Sequence, residues 1–433
     1  MPQGHETLMT LIMSLVGMAT LIAIALLFSY NRRAIRLRTV AGAFAIQASI
    51  GAFVLYVPFG QDVLTAIAAA VGQVVLYAND GIDFLFGGLA DVDNVGFVFA
   101  VRVLPVIIFF SSLIAVLYYL GLMQWVIRLL GGTLQKALGT SRTESLAATA
   151  NIFVGQTEAP LVVRPFIARM TQSQLFAVMC GGLASVAGSV LAGYAALGIP
   201  MEYLVAASFM AAPGGLLFAK LLMPETEDPQ DSVSRMEEEQ DALQDRPSNV
   251  LDAAATGATS GLQLAANVGA MLLAFIGLIA LINGMLGGIG GWFSMPGLSL
   301  ELMLGWLFAP LAFLLGVPWQ EATLAGSFIG QKLVVNEFVA YINLAPYLEG
   351  EQLVAATGEV MSSHTAAILS FALCGFANLS SIAILLGGLG SIAPTRRAEI
   401  ARFGVKAVLA GTLSNLMSAT IAGFFIALRT VGA

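Results

Sequence analysis

The chain reads as an all-α polytopic membrane protein with roughly eight transmembrane helices and two re-entrant hairpins arranged as an internal, inverted repeat. Three observations predict this. Of 433 residues, 58% are hydrophobic and only 10% charged, with a mean hydropathy of +0.87; soluble domains carry about 25% charged residues. The apolar residues come in long continuous runs, which suits helices of roughly 20 residues and excludes the alternating pattern of a membrane barrel. Two of the runs are interrupted by Gly, Pro and ionisable groups at matching places in the two halves of the chain.

The first run, 8–29, has no basic residue before it and is followed by Arg32, Arg33, Arg36 and Arg38. A cleavable leader carries its charge ahead of the apolar core, so this is a span whose N-terminus faces outward and whose arginines face the cytoplasm. Further spans read at 41–58, 98–120, 174–195, 203–222, 262–285, 364–390 and 405–428. Arg396, Arg397 and Arg402 mark a second cytoplasmic loop, in agreement with the count of crossings. Residues 59–95 are amphipathic and read as an interfacial or protein-packed element.

The net charge of −7 belongs to one segment. Residues 224–246 hold nine acidic and two basic residues, and the remainder is balanced. This segment reads as a solvated connector between the fifth and sixth spans. The two cysteines, Cys180 and Cys374, lie in apolar runs and form no disulfide framework, and the two histidines, His5 and His364, lack metal-site spacing. No cofactor is expected, and no nucleophile–base pair points to an enzyme.

The interruptions at 140–168 and 319–345 resemble each other. Phe153-Val154-Gly155-Gln156 recurs as Phe328-Ile329-Gly330-Gln331. Leu138-Gly139 precedes Glu144 at the interval by which Leu315-Gly316 precedes Glu321, and Cys180-Gly181 recurs as Cys374-Gly375. The order of the matches predicts a duplication. The expected organisation is scaffold spans with the interfacial helix (1–121), a first repeat with hairpin 1, broken helix 4 and helix 5 (122–222), the acidic cytoplasmic loop (223–250), scaffold helix 6 (251–299) and a second repeat with hairpin 2, broken helix 7 and helix 8 (300–433). Interrupted segments at corresponding positions of two halves point to a secondary transporter's binding site near the bilayer midplane.

Four polar patches lie in these apolar surroundings: 151–158, 181–190, 330–341 and 374–384. A carboxylate at the bilayer centre costs about 2.5–3.5 kcal/mol even on lenient scales, and Glu158 and Glu337 supply one per repeat. The plain alternative is that they close helix ends by pairing with Arg164 and Lys332. Hydrogen bonding between helices would likewise account for Asn378, Ser380 and Ser381, and packing for Phe376. Together, amides, hydroxyls and carboxylates suit a neutral, hydroxyl-rich solute with an apolar wall for a flat ring. A passive channel would show rings of charge instead.

GQTEAPL (155–161), KLVVNEFVAY (332–341) and CGFANLSSI (374–382) resemble the signature motifs of the concentrative nucleoside transporter family, in the same order, with the similarity extending from about residue 100 to the end. The resemblance to the bacterial branch implies a homotrimer in the cytoplasmic (inner) membrane that imports nucleosides with sodium, or in other members with protons, and binds no nucleic acid. It implies that Gln156, Thr157, Glu158 and Val190 meet the nucleobase. Glu337, Asn378 and Ser381 would hold the ribose, Phe376 would pack on the nucleoside, and Ile342 would complete the wall. Leu262 and Leu264 are both candidates for a sixth-span contact. Sodium would sit at Asn151, Val154, Ser185 and Val186. Purine or pyrimidine preference is not legible.

Overall fold

A computed structural model describes residues 2–91, 95–227, 247–295 and 297–432. Most of the acidic segment, 228–246, lies outside them. The described residues are helical apart from turns and one isolated bridge between Val354 and Glu359. In chain order the helices are α1 (Pro2–Leu27), α2 (Leu37–Leu55), α3 (Pro58–Phe86), α4 (Leu104–Tyr119), α5 (Leu122–Leu138), α6 (Arg142–Ala150), α7 (Gln172–Ala184), α8 (Gly188–Ala196), α9 (Met201–Leu222), α10 (Val250–Trp292), α11 (Leu300–Leu314), α12 (Trp319–Val334), α13 (Glu337–Leu348), α14 (Ser363–Leu373), α15 (Ser381–Ile392) and α16 (Arg397–Gly432).

Eight described helical stretches are long and apolar enough to cross a bilayer; seven coincide with spans read from hydropathy, and the eighth, Pro58–Ala90, stands in place of the run at 364–390. The run at 59–95 includes α3, whose length and composition suit a crossing as well as an interfacial position. The run at 364–390 is two shorter helices, α14 and α15, parted at 374–380. Hydropathy averaged across CGFANLSS sees one apolar stretch, because Cys, Phe, Ala and Leu mask the break. The expected span 262–285 is the middle of α10, a 43-residue helix of roughly 65 Å at 1.5 Å per residue.

The stretches 122–222 and 300–432 share one order of elements: a lead helix, a helix running to a tight tip, a helix broken in the middle and a long unbroken helix. In the first these are α5, α6 with its tip, α7–α8 and α9. In the second they are α11, α12–α13, α14–α15 and α16. The axes of α11 and α12 differ by 117°, so α12 turns back sharply from its lead helix. Gly139 and Gly316 end the two lead helices at φ of +65° and +101°, a left-handed closure open to glycine without steric cost.

The broken helices enter from opposite ends of α16. Near the start of α16, Arg396 donates to Met170 O at 2.7 Å and Arg402 to Gln172 Oε1 at 3.3 Å, beside the first turn of α7. Near its end, Gly423 faces His364 in the first turn of α14. In the middle of α16, Gly411 touches Leu183 and Ala377, one residue from each broken helix. This is the inverted arrangement expected of the repeats, with both breaks beside the middle of α16.

The two arginine clusters and the start of the acidic segment gather at one end. Tyr30 N–H donates to Leu222 O at 2.8 Å, and Lys406 lies 5.9 Å from the Tyr30 ring centre. At the same end the buried Lys220 pairs with Glu144 and donates to Ser173 Oγ at 2.8 Å, while Thr171 Oγ1 donates to Glu225 Oε2 at 2.8 Å. The core sits around the broken helices: 94% of the apolar window of α7–α8 is buried, against 17% for α10. Central helices therefore carry the breaks, while α10 packs mainly on α4 and leaves most of its apolar surface bare.

Candidate functional site

Each tip and each break forms for a local reason. Ser141 starts α6 with a reciprocal capping box to Glu144, and Thr171 starts α7 with one to Gln174. Asn336 and Ser362 cap α13 and α14 by accepting from Val339 N at 2.9 Å and Thr365 N at 3.2 Å. The Glu321 carboxylate, counterpart of Glu144, accepts from Ser362 N and Oγ at 2.8 and 2.7 Å. Each repeat's glutamate therefore ties the base of its hairpin to a neighbouring helix.

A helix broken at membrane depth must find partners for its freed backbone groups. Ser185, extended at φ −109° and ψ 174°, ends α7. Its hydroxyl donates to Gly181 O at 2.9 Å, and Asn415 Nδ2 donates to Ala184 O at 2.6 Å. At the start of α8, Gly188 N–H donates to Phe153 O of the first tip at 3.0 Å. In the second break, Cys374 O accepts from the same Asn415 amide at 2.9 Å, and Ala372 O from Lys332 Nζ at 2.8 Å. Phe376 N–H donates to Ser185 O at 3.1 Å, so one break is bonded directly to the other.

The second tip is anchored by Glu337. Its Oε1 accepts from Tyr194 Oη at 3.0 Å and its Oε2 from Asn378 Nδ2 at 2.9 Å. Asn378 Oδ1 in turn accepts from Ser380 Oγ, Ser381 N and Ser381 Oγ at 2.7, 2.9 and 3.0 Å. Two donors thus converge on the two carboxylate oxygens. Glu337, Asn378 and Ser381 are buried, while Phe376 and Ile342 are partly exposed, with ring and branched side chain against the core. The plain alternative, a pairing of Glu337 with Lys332, gives way to these partners, and Lys332 turns to Ala372 and Asn415 instead.

The first tip is wedged between the repeats. Gln156 packs on Gly182 of α7 and Thr157 on Gly388 of α15, both so close that a Cβ at either glycine would collide. Val190 is buried on α8, one turn before Tyr194. Glu158 is exposed, with its carboxylate folded over Gly155 of the same tip, and among the described residues it forms no ion pair with Arg164. Asn151 and Gln156 are both buried, and Asn151 Oδ1 and Gln156 Oε1 have no hydrogen-bond partner. Asn151 Nδ2 donates to Ala147 O at 2.9 Å, and the side chain packs on Gly181 of α7. Val154, Ser185 and Val186 are buried in the same layer. The expected residues of both tips and both breaks thus meet in one region. Of the two sixth-span candidates, Leu264 packs against the core and Leu262 is exposed.

Sequence reasoning missed Tyr194 and Asn415. Tyr194 is a lone polar group in an apolar run and Asn415 lies among Thr412, Ser414 and Ser418 of another, and polar groups at membrane depth mark committed partners, which is the signal that was available. Among the described residues, no cluster of His, Cys, Asp and Glu is arranged to hold a metal.

Comparison with known proteins matches three family models along the chain: Na+ dependent nucleoside transporter N-terminus over residues 16–89, nucleoside recognition over 100–201, and Na+ dependent nucleoside transporter C-terminus over 203–423. An uncharacterized transporter of Haemophilus influenzae is 60% identical over 97% of this chain and 99% of its own. The nucleoside permease NupC of Helicobacter pylori is 54% identical over 96% of this chain and 98% of its own. The solved structure of CNTnw in an inward-facing substrate-bound state superposes with a TM-score of 0.91 at 60% identity, over 97% of this chain and 98% of that one. These relatives are transporters and permeases, not enzymes. The chain belongs to the Na+-dependent nucleoside transporter family.

Proposed function

We propose that this transporter is a sodium–nucleoside symporter that imports nucleosides across a bacterial cytoplasmic membrane by alternating access. The observation that carries the sodium reading is the buried, unpartnered Asn151 Oδ1 in the layer of the α7–α8 break. A buried acceptor left without a donor costs about 1–3 kcal/mol, and a hard cation that takes oxygen ligands offsets that cost. Asn151 Oδ1, the Ser185 hydroxyl oxygen and the carbonyls of Val154 and Val186 form an all-oxygen set of that kind.

In this reading Glu337 receives the vicinal ribose hydroxyls, with Asn378 and Ser381 beside it and Phe376 and Ile342 as the apolar wall. Charge-assisted bonds of this kind are about twice as strong as neutral ones. Tyr194 and Asn378 hold the carboxylate in place before substrate arrives, so little ordering remains to be done on binding. Gln156, with its free carbonyl, and Thr157 and Glu158 face the base, and Val190 backs it. The two tips, drawn from opposite repeats and joined through the breaks, would move together as the transport part against a scaffold. The bare apolar length of α10 suits a homotrimeric contact between scaffolds, as larger apolar surfaces mark interaction sites.

Radiolabelled uridine uptake into proteoliposomes tests the reading. Accumulation under an imposed sodium gradient, and none under a proton gradient alone, is expected. Accumulation driven only by protons would move coupling to a carboxyl such as Glu158 or Glu337, and equilibration without accumulation would leave a passive channel.

A further inference from the structure

Lys332 sits buried near the end of α12, five residues before Glu337, yet does not pair with it. Its ammonium donates to Ala372 O at 2.8 Å and to Asn415 Oδ1 at 2.6 Å. Ala372 lies in the last turn of α14, the end of a helix where unpaired carbonyls concentrate negative charge. The corresponding end in the first repeat is the C-terminus of α7 at Ala184–Val186, where the coupling ion is proposed to bind. Aligned on Phe153–Gln156 and Phe328–Gln331, the repeats set Lys332 against Thr157. The first repeat thus has no cationic side chain at the position where the second has Lys332. A lysine ammonium is a compact point charge with three donors, and it meets the same demand from converging oxygens that a sodium ion meets.

The two ends are also physically joined. Asn415 accepts from Lys332 and passes its own amide protons to Ala184 O and Cys374 O, so one side chain reads both breaks. We propose that the Lys332 ammonium is a built-in cation that fills, at the break of the second repeat, the place an alkali ion takes at the first. The protein therefore carries one alkali-ion site, with a lysine side chain at the corresponding place in its second repeat. This rests on the sodium reading above.

The test follows sodium-dependent thermal stabilisation of the purified full-length protein, with choline keeping ionic strength constant. Wild type should respond, and Asn151→Leu should lose the response. Lys332→Ser should roughly double the sodium-dependent shift in melting temperature, because two sites then bind the folded state. Asn151→Leu with Lys332→Ser should regain the response that Asn151→Leu alone lost. A folded double variant that stays silent to sodium overturns the proposal. Wild-type sodium activation of uridine uptake supplies a readout that needs no variant: a Hill coefficient of about one supports a single site, and one of about two overturns it. Absence of any sodium response in wild type would remove the coupling reading and this inference together, whereas a cooperative response would remove this inference alone.

Discussion

The two hairpin tips differ in how completely their polar groups are satisfied. Around the second tip, Glu337 has Tyr194 and Asn378, Asn378 has Ser380 and Ser381, and Lys332 has Ala372 and Asn415. Around the first, Asn151 Oδ1 and Gln156 Oε1 are buried without donors, and Glu158 is exposed. A satisfied network is rigid and fixes geometry before binding. An unsatisfied one gains stability only when something arrives. In the proposed reading the second tip is the preorganised socket, and the first is where an ion and a base would complete the structure. Such a division would let one fold couple two solutes, the ion ordering the tip that the nucleoside also needs.

The comparison can be broken most directly at Glu337. Glu337→Gln removes the charge while keeping the shape, and uridine uptake should fall by roughly 100-fold, as charged hydrogen bonds of about 1.5–3 kcal/mol are lost. Its melting temperature should stay close to wild type, and near-normal uptake would remove the ribose assignment. Asn151→Leu attacks the unsatisfied side. Sodium should then lose its effect on uridine affinity, a change of about 30-fold in the range typical of coupled sites, while sodium-free affinity should hold; calorimetric titration in sodium and in choline reads both.

A smaller effect sharpens the claim of preorganisation. Tyr194→Phe leaves Glu337 with one protein donor, and uridine affinity should weaken about fivefold with sodium dependence unchanged. Equal loss in both would mean that Tyr194 holds the break rather than the carboxylate. The mildest change is Gln156→Ala, where a neutral bond is at stake. About a threefold loss is expected, unequal between uridine and adenosine in competition uptake. A uniform loss for both would argue that Gln156 packs on Gly182 without reading the base.

Much of this was legible before the structure. Composition fixed the membrane class, and the paired FxGQ matches located both tips, because duplicated interruptions leave a mark that hydropathy keeps, whereas the Cys-Gly pair sets Cys180 inside α7 against Cys374 at a break. Ser185 was readable as a break, since small residues crowd around it. Helix lengths were less legible. Apolar residues run on past the bilayer in α10, and nothing in 262–285 marks where a helix that leaves the membrane stops. The break at 374–380 was masked by its own apolar neighbours in a hydropathy window, although its polar motif was visible. Tyr194 and Asn415 were missed because their importance lies in partners 143 and 231 residues away, a separation that no local pattern encodes. The plain alternative for Lys332 rested on proximity in sequence to Glu337, whereas the fold offers it a helix end and Asn415.

The most direct test of the division between the tips is thermodynamic. Uridine affinity should be measured by calorimetry at saturating sodium and in choline, and sodium affinity with and without uridine, on the same protein. Linkage requires the two enhancements to be equal. The account predicts that both exceed about tenfold and that both vanish in Asn151→Leu. Uridine binding of equal strength in sodium and choline would contradict it, since a first tip that needs no ion would then have nothing to couple.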